Sequence, residues 1–290
     1  MANIQLTVGG FIFELNSFNP IKIEEGYIPF LTEGHDVDVR IDCFEGYPAD
    51  YSKPDIHYQA KTPEGVLWEL NKEELSTCVL VYDPNNLEVL QQIAYWNQER
   101  RSWQIYVLES QDGAIDPLAY PLGPLIWYFL STIEDILMIH GSAVIHDQQT
   151  RVFSGFSGVG KSTMAKLWEQ NKQATVINDD RLILRKIDND WYVYNTPMFY
   201  AAEPQVGKLH TVFFPHHAPA NKMEKLNGVA ALSKLLAHTI HHGHNKAHVQ
   251  HHMDIATQLI SQIACHQLGV VPTPEVLDYI IEKETWKKSR

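Results

Sequence analysis

Residues Gly155-Phe156-Ser157-Gly158-Val159-Gly160-Lys161-Ser162-Thr163 constrain this chain more than any other stretch, because they match G-x-x-x-x-G-K-[ST] in full. Such a loop needs a strand before it and a helix after it. The glycines let successive backbone N–H groups turn inward as a concave anion nest. A helix beginning near Ser162 adds the positive end of its dipole. Lys161 supplies a compact charge for β- and γ-phosphates, and the Ser162 hydroxyl is a hard oxygen ligand for Mg²⁺. Average residue frequencies would produce the string in about one chain in a hundred of this length. The flanks agree with it: Arg151-Val152-Phe153 favours a strand, and Thr163 to Glu169 reads as helix. The expected ligand is a nucleoside triphosphate, ATP, bound by Gly155, Phe156, Ser157, Gly158, Val159, Gly160, Lys161, Ser162 and Thr163.

Composition narrows the partners. A chain of 290 residues, 44% hydrophobic and 20% charged, can fill one large or two modest cores. Its formal charge of -12, from 23 Lys+Arg against 35 Asp+Glu, disfavours nonspecific binding to nucleic acid. Cys43, Cys78 and Cys265 are widely spaced and contain no C-x-x-C pair. Neither a disulfide framework nor a structural zinc site is indicated, and a reducing cytoplasmic setting fits. Met1 to Leu6 lacks the basic and then apolar pattern of a secretory signal. The most apolar window, Pro121 to Ile133, is broken by Glu134-Asp135 and falls short of the ~20 residues a bilayer requires. No membrane partner is expected, and a homo-oligomer is compatible with everything above.

The chain divides by pattern into a β-rich region, residues 1–116, and an α/β region, residues 117–290, that holds the glycine loop. In the first, Ile4 to Val8, a Gly9-Gly10 turn and Phe11 to Leu15 read as a hairpin. Val37 to Ile41 alternates with period two, and further apolar runs surround Tyr58, Trp68 and Leu80. Asp116 to Pro121 is a turn-rich junction. A helix is expected from Leu122 to about Met138, then a strand from Ile139 to Ile145 and a second strand entering the glycine loop. Beyond the loop helix, Ala174 to Ile177 is a buried-strand pattern. Leu182 to Leu184 and Trp191 to Tyr194 form a strand pair, and Leu209 to Phe214 a further strand. The remainder is mostly helical. Val229, Leu232, Leu235, Leu236 and Ile240 share one face behind an Asn227 cap, and a last helix starts at Thr273-Pro274-Glu275.

A loop that holds ATP is not yet a kinase. Transfer to a hydroxyl also benefits from a second anionic metal ligand and from a carboxylate that accepts the proton. Asp179-Asp180, at the end of the strand after the loop helix, can divide those tasks. His140 precedes the first of the two strands. If those strands pair as a hairpin, it returns to the mouth of the loop, where an imidazole can orient a carboxylate or touch a phosphate.

Three segments, His140-Gly141-Ser142-Ala143-Val144, Phe153 to Ser162 and Ile177-Asn178-Asp179-Asp180-Arg181, together resemble the catalytic domain of HPr kinase/phosphorylase. That family phosphorylates a serine of a bacterial phosphocarrier protein. Its domain is related to the nucleotide-binding part of ATP-dependent phosphoenolpyruvate carboxykinase. The resemblance implies a P-loop kinase domain of that type, preceded here by a β-rich N-terminal domain. It implies an ATP- and Mg²⁺-dependent kinase acting on a hydroxyl, serine first among them, of a protein, a peptide or a small molecule. By the resemblance Asp179 is the proton acceptor, with Lys161 and His140 as its catalytic partners. The metal ligands are Ser162, Asp180 and Glu203. The arginine and glycines that surround this glutamate in the family are absent from Phe199 to Pro204, and the family's late arginine has no counterpart. The alternatives are an ATP-binding regulatory protein without phosphoryl transfer and a carboxykinase-like enzyme.

The histidines of the 238–252 segment stand apart. His238, His241 and His242 fall at i, i+3, i+4 on the polar side of an expected helix, with His244, His248, His251 and His252 close behind. A solvated polar face is the plainest reading. Contact with an anionic substrate, or a transition metal held with Asp254, are the sharper ones.

Overall fold

The computed structural model describes residues 2–72, 76–197 and 203–288. They form two compact units, one ending at Ile133 and the other beginning at Glu134.

The first unit is built on nine strands: β1 (Ala2–Val8), β2 (Phe11–Ser17), β3 (Leu31–Thr32), β4 (Val39–Glu45), β5 (Tyr58–Thr62), β6 (Gly65–Lys72), β7 (Thr77–Asp83), β8 (Asn86–Asn97) and β9 (Ser102–Val107). They lie in one sheet in the order β3-β1-β2-β4-β9-β8-β7-β6-β5. The Gly9-Gly10 turn closes the expected hairpin, with Val8 opposite Phe11 and Ala2 opposite Ser17. Strand β4 runs parallel to both β2 and β9, and the other pairings are antiparallel. Period-two alternation buries Phe11, Phe13 and Leu15 of β2, Val39 and Ile41 of β4, and Trp103 and Ile105 of β9. On these strands lies helix α1 (Leu122–Ser131), whose Trp127 meets Phe13 edge-on at 4.3 Å and whose Phe129 meets Trp103 at 5.3 Å.

Two expectations change here. Helix α1 stops at Ser131, well short of Met138, because the Ser131 and Thr132 hydroxyls take the carbonyls of Tyr128 and Phe129. The next strand already starts at Ile136. The first unit also runs beyond the junction expected at 116, since α1 is apolar on nearly every side and its rings are buried against the first sheet.

The second unit runs β10 (Ile136–His146), β11 (Gln149–Ser154), α2 (Lys161–Lys172), β12 (Thr175–Asn178), β13 (Arg181–Ile187), β14 (Asp190–Asn195), β15 (Val206–His217), β16 (Lys222–Leu226), α3 (Gly228–Ala237), α4 (Lys246–Gln262), β17 (Ala264–Val270) and α5 (Glu275–Lys288). Strand β10 changes partners part-way along. Ile136 to His140 pair with β13, and Gly141 to His146 pair with β11. Strand β15 does likewise, pairing with β14 through Val206 to Lys208 and then running parallel to β11 and β17. The architecture is mixed α/β with large sheets.

Helices pack on the sheet in two pairs. Met164, Ala165 and Trp168 of α2 and Val276, Leu277 and Ile280 of α5 bury Val144, Phe153, Phe213 and Leu268. Ala231 and Leu235 of α3 and Ile255, Ala256 and Leu259 of α4 bury a second cluster with Leu137, Ile139, Leu184 and Val212. Asn227 occupies the α3 cap position, but its side chain makes no cap bond, and Val229 is 83% exposed instead of sharing the apolar face. Cys43, Cys78 and Cys265 are buried free thiols. Among the described residues no helix is long and apolar enough to cross a membrane.

Candidate functional site

Strand β11 runs into the glycine loop and α2 leaves it at Lys161, so the strand–loop–helix order is present. Gly158 and Gly160 hold φ of 82° and 100°, a region a side chain would strain, and this lets the loop turn on itself. Helix α2 begins with no side-chain cap, which leaves its first N–H groups aimed at the loop. The ammonium of Lys161 is 7% exposed as a residue and donates to the Phe156 carbonyl at 2.9 Å. Burial pushes it below the usual lysine range, while Asp179 and Asp180 pull it back up. Ser162, Thr163 and Phe156 are exposed, the last at 68%.

The antiparallel register of β10 on β11 sets Gly141 opposite Ser154, so His140 does return to the mouth of the loop. Two serines pin this corner. The Ser154 hydroxyl donates to the His140 carbonyl at 2.8 Å, and the Ser142 hydroxyl donates to the Lys161 carbonyl at 2.9 Å. His140 Nδ1 lies 3.3 Å from Asp180 Oδ1, and Arg181 Nε lies 3.5 Å from Asp180 Oδ2.

The aspartate turn is fixed by its neighbours. Asn178 Oδ1 accepts from the Asp179 N–H at 2.7 Å, and Asn178 Nδ2 donates to the Arg181 carbonyl at 2.9 Å. The Gly141 N–H donates to the Asp180 carbonyl at 2.9 Å, which ties the turn to β10. Asp179 faces Ser162 of the loop, while its Oδ1 is buried without a hydrogen-bond partner. Burial raises its carboxyl above the ordinary aspartate value. The Ser162 hydroxyl and the charges of Lys166 and Lys161 oppose that rise, and Asp180 adds to it.

The structure therefore brings together the loop, Lys161, Ser162, Asp179, Asp180 and His140. Glu203 is exposed and groups with the first unit. Residues 198–202, just before it, lie outside the described residues.

Sequence reasoning missed four supports of this site: Ser142, Ser154, Asn178 and His217. The last approaches the Gly158 carbonyl through Nε2 at 3.1 Å. Ser142, Ser154 and Asn178 stood inside the segments already singled out, and polar residues amid apolar strands were the available signal.

The histidine segment also differs from expectation. Helix α3 ends at Ala237, because the His238 carbonyl accepts from the His140 N–H and the Thr239 hydroxyl takes the Leu235 carbonyl. Consequently His238, His241 and His242 do not share a helix face. His242 and His244 are partly buried, His252 is 2% exposed, and the His244 and His248 rings meet at 5.6 Å. Among the described residues no group of three His, Cys, Asp or Glu side chains could hold a metal ion.

Comparison with known proteins adds little. No family model matches the chain, and no curated protein matches it. A solved structure, the Hpr(Ser) kinase/phosphatase from Coxiella burnetii, is similar at 10% identity and a TM-score of 0.31, covering 53% of this chain and 99% of that one. So low a score gives the likeness no force, and the reading of the site rests on its own residues.

Proposed function

We propose that this chain is an ATP- and Mg²⁺-dependent kinase that transfers the γ-phosphoryl group to a hydroxyl, serine first among the candidates. The observation that carries the reading is the facing of the Ser162 hydroxyl and the Asp179 carboxyl. It sets the loop hydroxyl beside a half-buried carboxylate whose Oδ1 has no hydrogen-bond partner.

The residues suit the groups they would hold. A glycine loop ahead of an uncapped helix, with Lys161 at its end, suits a polyphosphate. Ser162 and Asp180 are hard oxygen donors, and Mg²⁺ is bound by one or two such groups together with phosphate oxygens. Bound there, Mg²⁺ would neutralise charge on the transferring group.

The chain's own residues do the rest. Lys161 leaves the Phe156 carbonyl to hold phosphate oxygens. Asp179 takes the proton of the attacking hydroxyl as the new P–O bond forms and the bond to the β-phosphate oxygen breaks, with ADP leaving. Its raised affinity for a proton suits that role. His140 and Arg181 hold Asp180 in place, one on each carboxylate oxygen. Most of the catalysis is positioning and electrostatics.

The test is a screen of free serine, small hydroxy compounds and serine peptides with labelled ATP. ADP formation that requires the acceptor is expected. Hydrolysis without transfer, or carbon dioxide release from oxaloacetate, would overturn the reading.

A further inference from the structure

His238 lies outside the pattern that singled out the loop, yet the fold delivers it there. Residues 238–240 add a short antiparallel segment to β10: the His140 N–H donates to the His238 carbonyl at 2.9 Å, and the Ile240 N–H donates to the Met138 carbonyl at 2.7 Å. Two backbone bonds thus fix His238 against the strand that carries His140. Its half-buried imidazole meets the ring of Phe156, in the glycine loop, at 4.6 Å and 83°. On its other side lies Phe214, at 6.1 Å. Lys161 therefore holds the carbonyl of Phe156 and His238 holds its ring.

The imidazole has no protein use for its polar atoms. Among the described residues neither ring nitrogen of His238 has a hydrogen-bond partner. The charged and titratable groups that act on it are Lys161 of α2, Lys234 of α3 and His140 of β10, and none is an anion. Burial first, and then these groups, lower its proton affinity, so near neutrality the ring is uncharged and keeps one N–H to donate. A donor beside the loop lysine, facing no carboxylate, is matched to an anionic oxygen.

We propose that His238 is a phosphate-binding residue of this site, donating a ring N–H to an oxygen of the polyphosphate held by the glycine loop. The assignment rests on the loop being a polyphosphate site, and the test separates the two claims.

ATP and inorganic pyrophosphate would be titrated by calorimetry into the full chain and into K161A, H238F and H238N. H238F keeps a ring against Phe156 but has no donor. H238N keeps an N–H but loses the ring. The expected result is that H238F loses about tenfold or more in affinity for both probes, as for a hydrogen bond to a charged group, while H238N stays closer to the parent. Melting temperatures of H238F and the parent should agree.

If H238F binds both probes as the parent does while K161A does not, His238 only packs on Phe156 and this inference falls alone. If H238F is weakened for ATP but not for pyrophosphate, the contact is to the nucleoside and the phosphate assignment falls. If the parent binds neither probe, the proposed function falls and takes this inference with it. Should H238F fail to fold, H238L makes the same comparison.

Discussion

His140 and Asp180 face each other at 3.3 Å, imidazole Nδ1 to carboxylate Oδ1, across the corner where β10 passes from β13 to β11. With Arg181 on the other oxygen, Asp180 is engaged on both sides. Its neighbour Asp179 instead has one oxygen with no partner. Adjacent in sequence and alike in chemistry, the two aspartates are set apart by what surrounds them.

Asp180→Asn should therefore act on the metal more than on the chemistry. The amide is a weaker ligand for a hard cation and no longer attracts the His140 ring. The Mg²⁺ concentration for half-maximal transfer is expected to rise, with turnover at saturating Mg²⁺ falling far less. Equal losses at all Mg²⁺ concentrations would remove Asp180 from the metal.

Asp179→Asn should keep nucleotide affinity and lose transfer by ~10²–10⁴ if the carboxylate takes the proton. Stability gives an independent check. Burial raises the Asp179 carboxyl, so across the window from the ordinary aspartate value up to the raised one the folded state keeps a proton that the unfolded state releases. Stability from this group falls as pH rises through that window and stays lowered above it. The asparagine variant should thus melt at a higher temperature than the parent at neutral pH, with the gap closing in acid.

Lys161→Ala should weaken ATP binding by about tenfold to a hundredfold, as for a charge-assisted contact, without unfolding the chain. The ammonium is buried, and burial disfavours its charge, so its removal costs the core little. Calorimetry with ATP and a thermal melt decide this together. Unchanged affinity would place the phosphates elsewhere.

Arg151 and Glu284 form a buried pair at 2.6 Å, joining the strand before the loop to α5, with Thr211 donating to the same carboxylate at 3.2 Å. The Arg151 guanidinium also lies over Trp168, at 4.7 Å from the ring centre. Glu284→Ala leaves the guanidinium buried without its partner and should cost about 3–5 kcal/mol in urea unfolding. Replacing both residues by apolar ones, Arg151→Met with Glu284→Leu, should cost much less.

His242 gives a pH signature. Burial, with His244, His241 and His252 adding to it, lowers its value to about 4. Between there and the ordinary histidine value the unfolded state binds the extra proton, so stability rises with pH across the window and is lost on acidification. His242→Asn should flatten that slope, seen as urea midpoints that change less between about pH 5 and about pH 7. A slope equal to the parent's would mean that the ring is solvated.

Contiguous features were legible in the sequence because their physics is local. Glycine spacing specifies the loop turn, apolar alternation specifies strands such as β2, and the Gly9-Gly10 turn specifies its hairpin. The placement of His140 followed from a hairpin of two neighbouring strands, and Asp179-Asp180 from the end of an apolar run. The rest depended on register between distant segments. Periodicity says which face of an element is buried, not what it is buried against. It therefore could not reveal that α1 belongs with the first sheet, or that α3 stops at Ala237 because β10 captures the next carbonyl. Nor could it divide two adjacent aspartates, since only the packed strands put Ser162 beside one and His140 beside the other. His238 looked like one histidine of a cluster, and two backbone bonds to β10 are what set it beside the loop.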